Sequence, residues 1–366
     1  MKIILCGGGT AGHVTPALAI AEELTAQYKN CEILFIGREA GDENLLVKNA
    51  GYKIKTIPIK GIKRKLTLEN IKNAMMAIKA VREARSILED FNPDAVIGTG
   101  GYVCWPVIKA AQQLKIPTAI HESNTVPGLV SRLLAKKCDK IMLNYKDTAQ
   151  YFKHKDNLCI VGNPLREKFL SLGKSDARRR LGIDKEAIYI LSFGGSGGSQ
   201  TLNDTVDKLI RNYSSTNDKI THLHACGKKY FDKYKKDQAY KNCRICAYID
   251  DMPTHLKAAD IVICRCGAMT LSEVAASAAA AILIPSPNVT DNHQYKNGKY
   301  YADRNAAILI EESDLSYEKL KCVTEGLVRD KKRRTALSQR IFNLSSTGAR
   351  RKIVCEIERI VQNRAK

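Results

Sequence analysis

The 366-residue sequence holds one tryptophan and only 6% aromatic residues in all. Modules that bind nucleic acid by stacking need aromatics interleaved with basic side chains, and no such stretch occurs. Charge alone favours that class, and no nucleic-acid partner is expected. No run approaches the roughly 18 apolar residues of a membrane-spanning helix. Met1-Lys2-Ile3-Ile4-Leu5-Cys6 meets a glycine cluster too soon for a signal peptide and reads as a first strand. A soluble, cytoplasmic protein is the default expectation. Cysteines number twelve, but paired spacing is scarce: Cys243-x-x-Cys246 is the only CxxC, and no second pair stands at zinc-site distance. Cys6, Cys104, Cys159, Cys264 and Cys322 sit in apolar runs and read as buried thiols, so neither a metal nor a redox site is expected. Acidic residues are the other shortage, 38 against 59 Lys and Arg, for a net charge of +21. The excess is +8 in residues 1–163 and +13 in residues 164–366, so it is no isolated tail. Such a balance favours an anionic partner, whether membrane surface, nucleic acid or phosphorylated substrate.

What is present is alternation. Short apolar runs suited to buried strands fall at Lys2–Leu5, Glu32–Ile36, Tyr52–Ile57, Ala95–Ile97, Thr118–Ile120, Lys140–Leu143 and Leu158–Val161, with helical stretches such as Pro16–Gln27, Leu68–Glu89, Pro106–Leu114 and Gly128–Lys136 between them. After Gly162-Asn163-Pro164 the pattern restarts at Ile188–Phe193, Thr221–Ala225, Cys243–Ala247, Ile261–Cys264, Ala281–Ile284 and Ala307–Ile310. Strand–helix alternation predicts an α/β fold whose parallel sheets are covered on both faces. Done twice, it predicts two Rossmann-like doubly wound domains facing a cleft, residues 1–163 and 164–345. A helix within 346–366, with Ile353, Ile357, Ile360 and Val361 on one face, is expected to pack back toward the first domain.

Ligands of open parallel sheets sit beyond the carboxyl ends of the strands, so the turns there carry the chemistry. Ile261-Val262-Ile263-Cys264, the turn Arg265-Cys266-Gly267-Ala268 and a helix over Met269–Ser277 aim backbone N–H groups and a positive dipole end at one point, which suits a phosphate. Glu273, about one turn in, suits ribose hydroxyls; the alternative is a capping box, Thr270-x-x-Glu273. Gly7-Gly8-Gly9-Thr10-Ala11-Gly12 satisfies GxGxxG and raises an oxidoreductase as a rival. Such an enzyme needs an acid after its second strand; Ile36-Gly37-Arg38 stands there, and an arginine suits only the 2′-phosphate of NADP. Two further glycine turns, Gly98-Thr99-Gly100-Gly101-Tyr102 and Gly194-Gly195-Ser196-Gly197-Gly198-Ser199, fit two phosphorylated ligands better than one dinucleotide.

Gly8-Gly9-Thr10-Ala11-Gly12-His13, His121-Glu122-Ser123-Asn124, Gly162-Asn163-Pro164-Leu165-Arg166, Gly194-Gly195-Ser196, Gly267-Ala268-Met269-Thr270-Leu271-Ser272-Glu273 and Asp291-Asn292-His293-Gln294-Tyr295-x-Asn297 stand in one order and spacing. In these the chain resembles the MurG family of bacterial peptidoglycan N-acetylglucosaminyltransferases, from residue 3 to about residue 350. The resemblance implies a glycosyltransferase B fold. It also implies inverting transfer of N-acetylglucosamine from UDP-GlcNAc to the muramoyl 4-hydroxyl of undecaprenyl-diphospho-muramoylpentapeptide (lipid I), giving lipid II at the inner leaflet. The enzyme would then be peripheral on the cytoplasmic side of the cell membrane, against an anionic surface. A transferase making a diacylglycerol glycolipid is the alternative within the same fold.

By this resemblance the donor contacts fall on Ser196, Ile249, Ala268, Met269, Thr270, Leu271, Ser272, Glu273 and Gln294, with Arg166, Asn124, Thr10, Ala11 and Gly12 added. Ile249 can read uracil with its main chain; Ser196 and the amides near Ala268–Thr270 suit the diphosphate; Gln294 and Asn297, one helical turn apart, suit sugar hydroxyls. Fixed N–H donors at a departing diphosphate are worth roughly 3 kcal/mol each in the transition state, so neither a cofactor nor an obligatory metal is expected. Gly9, Gly100, Gly101 and Tyr102 are the acceptor-side candidates. His13, entering a helix whose positive end favours neutral imidazole, suits the general base, with helix capping or a diphosphate contact as alternatives. Glu122 is the other candidate base, unless its carboxylate only serves nearby amides. Ser123, Gly197 and His293 each stand where the family usually has glutamine. Lys60, Lys63, Arg64 and Lys65, followed by Leu66, Leu68, Ile71, Met75 and Met76, read either as a membrane-resting ridge or as an ordinary core face. Lys136 and Lys137 extend that basic face or end a helix in solvent.

Overall fold

The structure, a computed structural model, describes residues 1–39, 41, 43–61, 68–235 and 240–364. Lys63, Arg64, Lys65 and Leu66 lie outside the described residues, as do the side chains of Leu68 and Ile71. The chain divides into two compact units, Met1–Glu167 with Ser346–Lys366, and Lys168–Ser345.

Unit 1 is built from β1 (Lys2–Cys6), α1 (Ala11–Gln27), β2 (Glu32–Arg38), α2 (Glu43–Asn49), β3 (Lys53–Ile57), α3 (Leu68–Phe91), β4 (Ala95–Gly98), α4 (Cys104–Gln113), β5 (Thr118–Glu122), α5 (Leu129–Leu134), β6 (Lys140–Leu143) and β7 (Leu158–Ile160). The strands form one parallel sheet in the order β3-β2-β1-β4-β5-β6-β7. Strands buried on both faces read as unbroken apolar runs, and alternation sends neighbours to opposite sides. Ile4, Cys6 and Val96 meet Ala80, Ala84 and Leu88 of α3 and Val107 of α4 on one face. Ile3, Leu5 and Ile97 meet Ile20 and Leu24 of α1 on the other.

Unit 2 repeats the plan with α6 (Lys174–Leu181), β8 (Ile188–Phe193), α7 (Gln200–Leu209), β9 (Ile220–Ala225), α8 (Phe231–Tyr234), β10 (Cys243–Cys246), α9 (Met252–Ala258), β11 (Ile261–Cys264), α10 (Ala268–Ser277), β12 (Ala280–Leu283), α11 (His293–Ala302), β13 (Ile308–Leu309), α12 (Tyr317–Arg329) and α13 (Lys331–Asn343). Its parallel sheet runs β10-β9-β8-β11-β12-β13. The next helix, α14 (Ala349–Arg364), returns to unit 1, where Ile353, Val354, Ile357 and Ile360 complete the core beside α1.

Three details depart from the sequence reading. Unit 1 continues past Asn163 to Glu167, because Arg166 and Glu167 are both bound to Glu22 on α1. Helix α1 begins at Ala11, upstream of Pro16, so His13 lies inside its first turn. Helix α4 likewise starts at Cys104 with Pro106 in its first turn, where a missing N–H costs nothing. Among the described residues no helix is long and apolar enough to cross a membrane.

In each sheet the strand order reverses direction once, between β1 and β4 in unit 1 and between β8 and β11 in unit 2. A crevice opens at such a switch point. The glycine turns follow those very strands, which sets the first beside the second and the third beside the Arg265–Gly267 turn.

Candidate active site

In unit 1 the first two glycine turns enclose His13. The Gly8 N–H donates to the Gly100 carbonyl at 3.4 Å and the Thr99 N–H to the Cys6 carbonyl at 2.9 Å. Buried Thr99 also donates its hydroxyl to the His13 carbonyl at 2.6 Å. The imidazole Nδ1 lies 3.0 Å from the Gly8 carbonyl and 3.3 Å from Thr10 Oγ1. A carbonyl only accepts, so this contact assigns the proton to Nδ1 and the basic lone pair to Nε2. Gly100 and Gly101 hold φ of +112° and +82°, and a Cβ on them would stand 2.6 Å from His13 Cδ2 and 2.0 Å from the Gly8 carbonyl oxygen. These glycines let the backbone close on the ring. Tyr102 packs over Gly9, where a Cβ would come within 3.1 Å of its ring. The His13 side chain therefore bonds the turn before its helix.

Glu122, at the end of β5, is buried with both oxygens engaged. Oε1 accepts from the Asn124 N–H and Nδ2, each at 3.1 Å; Oε2 accepts from the Gly128 N–H at 3.0 Å and Ser131 Oγ at 2.7 Å. With four donors on one carboxylate, its geometry is that of a loop organiser, and it offers no open lone pair to an acceptor proton. Asn124 spends its amide donor in the same cluster. Arg166 lies in unit 1 with Nε donating to Glu22 Oε1 at 2.6 Å. Ser123 is buried, and its Oγ lies 3.5 Å from His121 Nδ1.

In unit 2, α10 starts at Ala268 with Gly267 as its N-cap, a residue with no side chain to offer as a cap. Thr270 is thus the third helical residue, and the capping-box register Thr270-x-x-Glu273 does not form. The amides of Met269 and Thr270 meet no partner among the described residues, as the first turn of any helix leaves them. Ala268, Met269, Leu271 and Ser272 are buried, and Ser272 Oγ donates back to the Ala268 carbonyl at 3.1 Å. Thr270 and Glu273 alone in this stretch keep side chains partly open, on one face of the helix. Glu273 makes no hydrogen bond among the described residues, and its carboxyl lies deep enough that loss of water pushes it up to about 8, against a weaker downward pull from the Lys168 ammonium.

Helix α11 holds this turn from below. Gln294 Oε1 accepts from the Cys266 N–H at 3.2 Å and the Ser286 N–H at 2.9 Å, which leaves its amide N–H groups for a ligand. Asn297 is fully buried and its Nδ2 donates to the Cys266 carbonyl at 3.3 Å. The expectation that Asn297 meets sugar hydroxyls is therefore corrected: its amide grips Cys266 from the other side. Asp291 and Asn292, both at positive φ (54° and 51°), bend the chain into this helix. Ile249 has a buried side chain, so only its main chain can face a base. Ser196 is exposed on the third turn, and Gly197 beside it has open space around its α-carbon, so the missing glutamine leaves no clash or cavity. His293 donates from Nδ1 to the Thr290 carbonyl at 2.8 Å.

Sequence reasoning passed over Arg265. Buried at 7% exposure, it donates to the Ile284 and Pro285 carbonyls at 3.2 and 3.0 Å, to Ser199 Oγ and to Glu312. It joins the end of β11 to the third glycine turn. A lone charge inside an otherwise small and apolar turn was the available signal; the distant partner Glu312 left none.

Comparison with known proteins follows the same division. Residues 3–143 match the glycosyltransferase family 28 N-terminal domain and residues 189–351 the family's C-terminal domain. A protein of Alkaliphilus oremlandii is 41% identical over 322 residues, covering 87% of each chain. One of Acetivibrio thermocellus is 38% identical over 368 aligned positions, covering the whole of both. Each is named a UDP-N-acetylglucosamine–N-acetylmuramyl-(pentapeptide) pyrophosphoryl-undecaprenol N-acetylglucosamine transferase. The crystal structure of MurG from Acinetobacter baumannii aligns with a TM-score of 0.78 at 27% identity, over 98% of this chain and 99% of that one. A UDP-GlcNAc 2-epimerase of Neisseria meningitidis bound to UDP-GlcNAc, 13% identical with a TM-score of 0.70 over 98% of this chain and 99% of that one, shares the fold alone.

Proposed function

The chain belongs to glycosyltransferase family 28, and from that premise we propose that it transfers N-acetylglucosamine from UDP-GlcNAc to the muramoyl 4-hydroxyl of lipid I, giving lipid II. The donor half of this reading rests above all on one observation: two amides and one carboxyl group without a hydrogen-bond partner among the described residues share the first turns of α10. The diphosphate takes the Met269 and Thr270 amides and the positive end of the helix dipole, Glu273 takes the ribose hydroxyls, and the Ile249 main chain takes the uracil. Gln294 offers its remaining N–H groups to the sugar, and Ser196 adds a hydroxyl to the phosphate side.

In the transfer the acceptor oxygen bonds to the anomeric carbon on the face opposite the diphosphate, and the bond to UDP breaks with its electron pair left on the diphosphate. Charge grows where fixed N–H donors already point, which favours the transition state over bound substrate. The hydroxyl proton passes to His13 Nε2, whose ring is set by Gly8 and the Gly100–Gly101 backbone. His13 suits this task better than Glu122, whose lone pairs are occupied.

The acceptor's lipid calls for a membrane surface, and we assign peripheral contact at the inner leaflet to unit 1. Met75 and Ile78 on α3, and Leu129 and Leu133 on α5, are exposed apolar side chains; Lys79 and Arg132 stand on the same helices and Lys136 in the turn just after α5. Helix α4 packs against both α3 and α5. Basic groups around apolar tips suit anionic headgroups. Initial-rate assays of UDP release test the whole reading: turnover is expected with UDP-GlcNAc and a lipid I analogue. Equal turnover with diacylglycerol would favour the glycolipid enzyme, and NADPH binding without UDP binding would revive the oxidoreductase.

A further inference from the structure

Arg38 occupies the place where a dinucleotide enzyme reads its ribose, and the transfer described above gives it no task. It ends β2, the strand beside β1, and therefore stands at the carboxyl edge of the sheet next to the first glycine turn. Its partner is Glu43, the first residue of α2, whose side chain is only 2% exposed. Glu43 Oε1 accepts from the Arg38 N–H at 3.2 Å and lies 3.4 Å from Arg38 Nε. The same oxygen presses on Gly8, where a Cβ would come within 2.6 Å of it. Gly8 thus has Glu43 on one side and, through its carbonyl, the His13 ring on the other.

Glu43 faces Arg38 from the Nε side. The terminal nitrogens Nη1 and Nη2 make no hydrogen bond or ion pair among the described residues, and the side chain is 30% exposed. Arg38 Nε is buried against Glu43 as an ion pair and not a hydrogen bond, which leaves Nη1 and Nη2 as a planar fork of N–H donors matched to two oxygens of a carboxylate or phosphoryl group.

We propose that Arg38 is a specificity-determining contact for the acceptor, binding one of its anionic groups, and that Glu43 is the positioning residue that holds the fork beside the His13 turn. The inference rests on the transferase reading. Two sources offer the required chemistry, the acceptor's diphosphate and the carboxylates of its peptide stem. Either would be drawn in beside the base, whereas the donor's phosphates have their own amides on α10.

Initial rates of the full chain with two lipid I analogues, one with a charged stem and one with every stem carboxylate amidated, decide the matter. Arg38→Gln is expected to raise the acceptor KM about tenfold or more, the effect of losing a charge-assisted pair, with kcat and the UDP-GlcNAc KM held within about twofold. Arg38→Lys restores part of the loss, since an ammonium supplies the charge without the fork. Glu43→Gln raises the acceptor KM by less. A rise that persists with the amidated stem assigns the diphosphate; a rise confined to the charged stem assigns a carboxylate. An acceptor KM within twofold of wild type in Arg38→Gln, or an equal rise in the donor KM, overturns the inference while an active wild type leaves the transferase reading standing. A wild type that transfers nothing to either analogue overturns both.

Discussion

Two residues of the candidate site make opposite demands on a proton, and each can be tested alone. His13 has its Nδ1 committed to Gly8, so its work is at Nε2; His13→Ala is expected to lower kcat by about 10²–10⁴-fold while UDP affinity stays within about twofold. Turnover near the wild-type rate would remove it as base. Glu273 is held protonated by burial: its folded value of about 8 lies above the ordinary 4.5. Below 4.5 folded and unfolded chains are both protonated there, and nothing is lost. As pH rises toward 8 the unfolded chain ionises first, so this group's contribution declines and then stays constant. Glu273→Gln should therefore raise Tm over wild type by a margin that opens between pH 4.5 and about 8 and closes below 4.5. A margin that ignores pH would mean that the carboxyl titrates normally in the fold. Legibility at this scale was uneven. Spacing marked His13 and Glu273, because a strand, glycines and a helix start are local patterns. It could not separate Asn297 from Gln294, one helical turn away, because which end of an amide meets backbone depends on a turn twenty-eight or more residues distant.

Single elements carry the next level of organisation. Helix α11 matters less as a wall than as a handle: Gln294 and Asn297 hold the N–H and carbonyl of Cys266, and so fix where α10 begins. Asn297→Ala removes the Nδ2 donor to the Cys266 carbonyl in a buried place, a change worth about 1–3 kcal/mol, so Tm and donor affinity should fall together. An unchanged Tm with lost turnover alone would return Asn297 to the sugar. The strands were all legible as short apolar runs, since a parallel sheet covered on both faces leaves its strands few polar positions, edge strands such as β3 with Lys53 and Lys55 excepted. Two helix starts were not: Pro16 and Pro106 look like first residues, yet α1 and α4 begin before them, where glycine turns already hold the backbone, whereas α3 does begin at Leu68.

At the scale of the molecule the two units differ in how they meet acid. Unit 2 buries a directed chain: Asn203 Oδ1 lies 3.1 Å from His224 Nε2, Ser192 Oγ is 2.8 Å from both His224 Nδ1 and His222 Nε2, and Ser214 Oγ is 3.0 Å from His222 Nδ1. Neutral imidazoles satisfy these four links, while the Ser192 carbonyl, 3.2 Å from His224 Nδ1, is a further acceptor that favours the charged ring and is outweighed by burial. Burial lowers His222 to about 3 and His224 to about 4, from an ordinary 6.5. Their contribution is full above pH 6.5 and is lost as pH falls toward those values, while unit 1 holds one such buried ring among the described residues, His121. Unit 2 is expected to unfold first in acid, seen as lost far-UV circular dichroism while the emission of Trp105, on α4 in unit 1, stays put. A simultaneous shift of both signals would deny the difference. Sequence order adds a consequence of its own. The core of unit 1 is closed by Ile353, Val354, Ile357 and Ile360, which a ribosome makes only after all of unit 2. The half that is begun first is thus finished last, and until α14 emerges the apolar flank of α1 needs shelter, from a chaperone or from speed.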